Sequence, residues 1–430
     1  MKHIFRILIF LFTIHSAVFA QDSLINSSFY ANLDSMVNLW YMQNTDLYSY
    51  KERPSNYDST LVPNFTNAEY KKRVSEMESM IPLTYNKSVQ AYINVYALKN
   101  REKMEIMLGL AEYYFPMFEE ILELQNVPQE LKYLAIIESA LNPRARSRVG
   151  AVGLWQFMPA TGRMQKLVIN SYIDERQDPI KSTYAAAEYL KSLHRMFDDW
   201  TLALAAYNCG PGNVRKAIAR SGGRRDFWSI YPNLPRETRG YVPAYIGAFY
   251  VFEHHEDHNL YPRKIDFPTA VDTVQVKKAM TLNQISKVLN IPLKQIEDLN
   301  PQYKISAITK SEKGRTLYLP VNKISSFIVL QDSIPRYKDS VNQDSIRIAK
   351  AKTAANYESS FVHYTIKSGD NLGLIADWFD VGLSDLRRWN NIYGTTIRAG
   401  RRLIVYVPDG KKEKYARINN MTFAQKQALS

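Results

Sequence analysis

The feature that most constrains this sequence is a long stretch of helical apolar periodicity that stops at a proline. Between residues 81 and 261, apolar side chains recur with helical spacing, and Val89, Tyr92 and Ile93 fall on one helix face. The periodicity ends at Pro262. The sequence therefore predicts a mainly α fold class with one large helical domain.

A small unit follows this domain and is present twice. Residues 271–322 and residues 361–408 each read as a strand, two short helices and a closing strand. Polar residues 323–360 between the copies predict a linker, and the basic tail over 409–430 is predicted to fray. The architecture expected is thus a helical domain followed by two α+β modules.

The first residues have the pattern of a targeting segment. Basic Lys2 and Arg6 precede a short apolar run, and a small-residue site ends at Ala20, which predicts a secretory signal peptide over residues 1–20. The run is too short for a membrane span, although an uncleaved anchor is the alternative. The sequence therefore predicts export to the periplasm or cell envelope, with peripheral association with the outer membrane left open. Residues 21–117 follow as a partly helical N-terminal segment.

Charge and cysteine content narrow the classes of partner. The net charge is +13, which suits an anionic polymer or lipid, although a basic surface that only maintains solubility is an equal alternative. Export argues against nucleic acid as the partner. Cys209 is the only cysteine, which excludes an intramolecular disulfide and a cysteine-based zinc site.

Glu138 is the carboxylate whose surroundings point to chemistry. It follows the apolar run over residues 133–137 and precedes the turn signal Asn142-Pro143. A carboxyl group at a helix end between apolar walls has a raised pKa and can donate a proton near neutral pH. From the residues alone, an ordinary solvated glutamate is the alternative.

Four ordered blocks in residues 118–262 give Glu138 its context. They are Glu138-Ser139 with Asn142-Pro143 and Ser147, Gly153-Leu154-Trp155-Gln156-Phe157-Met158-Pro159-Ala160-Thr161-Gly162, Ala206-Tyr207-Asn208-Cys209-Gly210-Pro211-Gly212, and Glu237-Thr238-Arg239-Gly240-Tyr241-Val242. This set resembles the lytic transglycosylases of the soluble Slt type, most closely the membrane-bound lytic murein transglycosylase D group. The resemblance implies a lysozyme-like helical domain over 118–262 around a glycan groove.

The resemblance also implies roles for individual residues. Glu138 would be the sole catalytic acid and base, cutting peptidoglycan glycan strands between MurNAc and GlcNAc to leave a 1,6-anhydro-MurNAc end, with no cofactor and no metal. From the residues themselves, Glu237 is expected to pair with Arg236 or Arg239, with a catalytic role as the alternative. Ser147 would hydrogen-bond near Glu138 and orient it. The residues implied to bind substrate are Ser147, Gln156, Met158, Tyr207 and Asn208.

Alternatives stay open at several of these positions. Met158 could belong to the core, and Asn208 could form a turn or cap. Trp155 stands where many relatives have Met, and it could stack on a sugar or fill the core. His254 and His258 have a spacing that could hold a metal, but a solvated helix end is the prediction preferred.

The two repeats resemble LysM modules, which bind glycans containing N-acetylglucosamine. The second copy matches better, through Tyr364 to Leu372 with its Gly369-Asp370 turn, whereas the first copy lacks that turn. Glycan binding by the first copy is therefore left open. Trp378 and Trp389 could be sugar platforms or core residues.

Two other functions compete with a transglycosylase. One is a hydrolytic muramidase on the same fold, similar to goose-type lysozyme, in which water attacks instead of the C6 hydroxyl. The other is a cell-wall-binding protein without catalysis, against which Glu138 argues.

Overall fold

The structure is a computed structural model. It describes residues 53–337 except 56, 266 and 269, and residues 361–427 except 380, 391, 393–396 and 408–411. The chain forms two compact units that divide between residues 335 and 336. The predicted signal peptide and residues 338–360 of the predicted linker lie outside the described residues.

The first unit begins with a helical domain, which confirms the mainly α fold class. Short turns connect its helices: a π turn at Val95–Lys99 and 3-10 turns at Gln129–Tyr133 and Tyr231–Asn233. The α-helices are α1 (Asn67–Glu76), α2 (Lys87–Asn94), α3 (Arg101–Leu124), α4 (Leu134–Ser139), α5 (Pro159–Met164), α6 (Pro179–Phe197), α7 (Trp200–Cys209), α8 (Pro211–Arg220), α9 (Phe227–Ile230), α10 (Arg236–Arg239) and α11 (Tyr241–Glu253).

Helix α11 is the centre of this domain. All its residues from Tyr241 to Phe252 are buried, and it packs against α2, α4 and α7. A helix that is apolar on every face is stable only in a protein interior. Because α4 and α7 both rest on α11, the Glu138 and Tyr207 blocks are brought to one region of the fold.

Local signals fix where the flanking helices begin. Asp178 caps α6 by accepting from the Lys181 N–H, and Pro179 occupies the first helical position. Asp199 caps α7 in the same way, accepting from Leu202 N–H. Helix α3, however, continues across the predicted boundary at residue 117, because the apolar pattern of the N-terminal segment and of the main domain belongs to one helix.

The first α+β module completes the first unit. Strand β1 (Val271–Val276) pairs antiparallel with β4 (Arg315–Pro320), and β2 (Met280–Thr281) pairs antiparallel with β3 (Ala307–Ile308). Its helices are α12 (Leu282–Leu289), α13 (Leu293–Leu299) and α14 (Val321–Leu330), followed by a 3-10 turn at Ile334–Arg336.

The predicted end of this module at residue 322 and the predicted linker start at 323 are wrong. Phe327 of α14 and Ile334 are fully buried in the core of the module. The polar residues Asn322, Ser325 and Ser326 concealed a helix that uses only one face for packing.

The second unit contains the second module. Strand β5 (Phe361–Thr365) pairs antiparallel with β6 (Arg402–Tyr406), and α15 (Leu372–Trp378) and α16 (Leu383–Trp389) lie between them in sequence. Trp378 is buried, which favours its core interpretation, whereas Trp389 is half-buried.

The prediction that the tail frays is wrong in its described part. Residues 412–427 form α17 (Lys412–Ala416), a 3-10 turn and α18 (Phe423–Gln427). Tyr415 and Ile418 are buried in the core of the second module, and Met421 packs against it, so these apolar residues hold the basic stretch in place. Within the described residues, no helix is both long and apolar enough to cross a bilayer.

Candidate active site

Glu138 lies at the end of α4, where the helix is held by its neighbours. The helix stops because Ala140 adopts the left-handed conformation with φ of 52°. The hydroxyl of Ser139 donates to Ala135 O at 3.0 Å and to Leu154 O at 2.8 Å. The second bond joins the helix end directly to the loop that carries the second motif block.

Tyr241, the first residue of α11, is the side chain that contacts the Glu138 carboxyl group. Its hydroxyl donates a hydrogen bond to Glu138 Oε1. Burial raises the pKa of Glu138 to about 7, against the opposing effect of this hydrogen bond. A carboxyl group with that pKa exists in both protonation states at neutral pH, so it can give up a proton and take one back.

The loop over residues 145–157 is built by close backbone contacts. Val152 forms isolated β-bridges with Arg146 and Phe157. Gly153 has φ of 90°, and a Cβ atom there would lie 1.9 Å from Arg176 O. Only glycine fits at this position, which explains in physical terms why the second motif block needs it.

Gln156 serves this loop with its side-chain amide. It has a left-handed backbone with φ of 46°, and its Nε2 donates to Gly153 O at 2.8 Å and to Ala145 O at 3.2 Å. The donors that the sequence assigned to sugar groups therefore hold the loop closed in this structure.

Ser147 and Met158 lie at the two ends of the same loop. Ser147 Oγ accepts from Ala151 N–H at 3.0 Å, so the contact seen is with the loop and not with Glu138. Met158 is 41% exposed at the start of α5, so the core alternative for it does not apply. Its thioether is available to a ligand.

Tyr207 and Asn208 end α7 on the other side of the site. The Tyr207 hydroxyl donates to Trp155 O at 2.6 Å, and burial followed by the charge of Glu138 raises the pKa of Tyr207 well above its ordinary value. Asn208 is exposed, and its Oδ1 accepts from Thr238 Oγ1 at 2.8 Å. Tyr207 is thus close enough for the charge of Glu138 to affect its pKa, while Asn208 links α7 to α10 through a hydrogen bond.

Trp155 is a core residue and not a sugar platform. It is fully buried, its Nε1 donates to Thr183 Oγ1 at 2.9 Å, and its ring lies 5.1 Å from that of Phe118. The larger side chain is accommodated in the interior and does not face a sugar.

Sequence reasoning missed two groups at this site. Tyr241 was quoted only as part of the closing block, and its position next to a glycine and before an apolar run gave no sign that it would reach Glu138. Arg176 was not singled out at all, although it is buried and hydrogen-bonded to Asp174 and to the motif loop. Its one signal was its place in a run of charged residues directly before a helix start.

The remaining candidates contribute little to the site. Glu237 is exposed, and Arg239 donates to the carbonyls of Leu234 and Pro232 instead. His258 is fully buried, contrary to the predicted solvated helix end, and burial lowers its pKa to about 4. In the part of the chain that the structure describes, no group of three or more His, Cys, Asp or Glu side chains could hold a metal.

Parts of this chain match known protein families. Residues 116–229, which contain Glu138 and the motif loop, match the family described as Transglycosylase SLT domain. The chain therefore carries an SLT domain. Residues 270–336 match the LysM-like domain of lytic transglycosylase MltD, and residues 364–405 match the LysM domain.

The relatives agree with these assignments. The chain is 30% identical over 313 residues to membrane-bound lytic murein transglycosylase D of Escherichia coli (strain K12), covering 72% of this chain and 66% of the relative. It is 33% identical over 199 residues to the soluble lytic murein transglycosylase of the same strain, covering 44% of this chain and 30% of the relative. The chain is homologous to both, and it spans slightly less than two thirds of the first.

Among solved structures, the 70-kDa soluble lytic transglycosylase of Escherichia coli matches 59% of this chain and 47% of its own at 19% identity, with a TM-score of 0.32. That score is too low for the two folds to be compared residue by residue.

Proposed function

We propose that this chain is a lytic transglycosylase that cleaves the β-1,4 bond between MurNAc and GlcNAc in peptidoglycan without consuming water. The observation that carries the proposal is Glu138, held at a helix end within an SLT domain, with a pKa raised by burial and one phenol donating to it.

The proposed mechanism needs one carboxyl group in two roles. Protonated Glu138 first donates its proton to the glycosidic oxygen, so that the bond to the MurNAc C1 breaks and the GlcNAc end leaves as an alcohol. The N-acetyl carbonyl of MurNAc stabilises the positive charge at C1. The Glu138 carboxylate then takes the proton from the C6 hydroxyl as its oxygen bonds to C1, which closes the 1,6-anhydro ring and restores the acid.

The other residues have supporting roles in this proposal. Tyr241 holds the Glu138 carboxyl group in place through its hydrogen bond, and it stabilises the carboxylate between the two proton transfers. Met158 and Asn208 are exposed and line the approach of the glycan. Gln156, Ser147 and Tyr207 shape the loop and the helix end that form the walls of the groove.

The pH dependence follows from the state of the acid. Cleavage begins with protonated Glu138, so turnover should fall as pH rises through about 7, the value to which burial raises its pKa. A falling limb near the ordinary glutamate range of about 4.3 would contradict the role of burial.

The substrate and the location of the protein are also proposals. The SLT and LysM-type domains support peptidoglycan as the polymer bound. The name of the first relative supports a place in the cell envelope, and the finer proposal is export to the periplasm or cell envelope, with peripheral association with the outer membrane left open.

The experiment compares two glutamate variants on purified sacculi. Glu138→Gln is nearly isosteric but cannot exchange a proton, so turnover should fall by about 10²–10⁴-fold. Glu237→Gln changes an exposed carboxylate of the same motif set and should leave turnover unchanged.

Mass spectrometry of the digest distinguishes the competing activities. Products lighter by one water than hydrolytic fragments support the transglycosylase, and hydrolytic fragments indicate a muramidase. Absence of any cleavage by the unmodified chain would leave only a wall-binding protein.

A further inference from the structure

The first LysM-type module is joined to the SLT domain by strand-like pairing. Asp174 N–H donates to Gln302 O at 2.9 Å, and Lys304 N–H donates to Tyr172 O at 3.0 Å. These bonds produce an isolated antiparallel bridge between Ile173 and Tyr303. A segment of the catalytic domain is therefore paired with the module's backbone.

Side chains seal the same junction from both directions. Ile173 comes from the SLT domain, yet it is 2% exposed and belongs to the apolar core of the module. Tyr318 of the module donates its hydroxyl to Asp178 Oδ1 at 2.7 Å, and Asp178 is the buried N-cap of α6. Burying these groups together makes independent movement of the module costly.

The other side of the segment rests on the motif loop. Arg176 Nε and Nη2 donate to the Asp174 carboxylate at 2.9 and 2.7 Å, and Nη1 donates to Gly150 O and Phe157 O, each at 2.9 Å. The side chains of Arg176 and Asp174 are 4% and 2% exposed. One guanidinium group thus ties the paired segment to both ends of residues 150–157.

That loop in turn holds the surroundings of the catalytic acid. Leu154 O accepts from Ser139, the neighbour of Glu138, and Trp155 O accepts from Tyr207. A continuous set of hydrogen bonds therefore leads from the module to the helix end that carries Glu138.

We propose that the first LysM-type module is a positioning element of the catalytic site: through Ile173, Asp174 and Arg176 it holds residues 150–157 against Glu138. The proposal rests on the function proposed above for Glu138. The module lacks the Gly-Asp turn of the second copy, and the role proposed for its core and backbone is to stiffen the groove. Placement of catalytic groups is sensitive to small displacements, since a shift of about 1 Å can cost about 10²-fold in rate.

The test compares two truncations of buried side chains in the full chain. Ile173→Ala removes the contact across the junction. Leu289→Ala removes the same number of carbon atoms from the same core, at the end of α12 beside α14, where Lys323 donates to Leu289 O. Ile173→Val is the conservative variant that should restore the contact, and Arg176→Lys keeps the charge but loses the planar fork.

Hydrogen exchange of residues 150–157 is the readout that does not depend on activity. The amides of Val152 and Phe157 are bonded to each other's carbonyls, so their protection reports whether the loop is closed. Ile173→Ala and Arg176→Lys should accelerate exchange there, whereas Leu289→Ala should accelerate exchange only within the module.

Turnover of a soluble glycan fragment is the second readout. Ile173→Ala and Arg176→Lys should lower kcat about ten- to a hundred-fold with little change in KM, and should move the falling limb of the pH profile to lower pH as water reaches Glu138. Ile173→Val should retain most of the turnover.

The outcomes separate the two proposals. Unchanged loop protection in Ile173→Ala, or equal loosening of the loop in Leu289→Ala, would overturn the positioning role. Selective loosening of the loop in a chain that forms no anhydro product would retain the coupling and refute the transglycosylase. If Ile173→Ala fails to fold, Arg176→Lys gives the same comparison against Leu289→Ala.

Discussion

The two LysM-type modules share an order of strand, helix, helix and strand, but they complete their cores with different material. The first takes Ile173 from the SLT domain and Phe327 from α14. The second takes Tyr415 and Ile418 from the C-terminal segment that follows its closing strand. A unit of this size buries too little apolar surface by itself, so the source of the added residues decides whether a module is independent.

The polar contacts repeat this difference. In the first module, Tyr318 donates to Asp178 of the SLT domain. In the second module, Tyr364 donates to Asp370 of its own opening turn, and Lys426 donates to Tyr364. The same kind of tyrosine and aspartate pair therefore joins one module to the SLT domain and, in the other module, links residues of that module to each other.

The largest effect expected is on retention by the wall. Ending the chain after Tyr337 removes the second unit but keeps Phe327 and Ile334, which the first module needs. Because a tethered binding module raises the local concentration of substrate, retention on insoluble peptidoglycan should weaken by about 10²-fold or more, while turnover of soluble fragments stays unchanged.

Cosedimentation with sacculi and initial rates on soluble glycan measure the two quantities. Equal losses in both would show that the second module also belongs to the catalytic unit, which would erase the contrast between the copies. Ending the chain at residue 325 is an unsuitable control, since it cuts into α14.

A smaller effect is expected from the ion pair that holds the C-terminal segment. Lys426 is fully buried, lies 3.4 Å from Asp370 Oδ1 and sits over the ring of Trp378. Lys426→Met leaves the Asp370 carboxylate buried with no cation, so the free energy of unfolding of the second module should fall by about 3 kcal/mol.

Lys414→Met is the matched control, because Lys414 is exposed on the same segment. Calorimetry of the full chain should show the transition of the second module lowered by Lys426→Met alone, with weaker retention on sacculi and unchanged soluble turnover. A Lys426→Met chain with the original transition would mean that the C-terminal segment is an accessory and not part of the module.

Much of this arrangement could be predicted from the sequence, because it is written in local patterns. Helical periodicity gave the main domain, alternation with turn signals gave both modules, and the Glu138-Ser139 block identified a carboxyl group at a helix end whose pKa burial raises. These features depend on residues close together in the chain.

The features that were missed depend on distant partners. Nothing near Tyr241 indicates that it contacts Glu138 across 103 positions. A polar, basic tail predicts fraying unless the sparse apolar residues Tyr415 and Ile418 are matched with a core elsewhere. Ile173 directly precedes a run of charged residues, and nothing near it in the chain indicates that it completes the core of a module more than a hundred residues away.

The smallest effects are expected from Tyr318 and Tyr364. Removing one hydroxyl group from each module makes the same change in both. Tyr318→Phe removes the hydroxyl that donates to Asp178, whose pKa burial already raises. The loss should lower the free energy of unfolding of the first unit by about 1–2 kcal/mol. A carboxyl group with a raised pKa favours folding less as pH rises, and the variant also lacks the hydroxyl that stabilises the charged carboxylate. The loss of stability should therefore grow as pH rises above the ordinary aspartate range of about 3.9. Tyr364→Phe should destabilise only the second module. Thermal midpoints at acidic and neutral pH, with soluble turnover measured on the same preparations, distinguish the effects of the two variants. Tyr318→Phe should slow turnover and Tyr364→Phe should not.

Turnover that responds equally to both variants would mean that the first module positions the site no more than the second does.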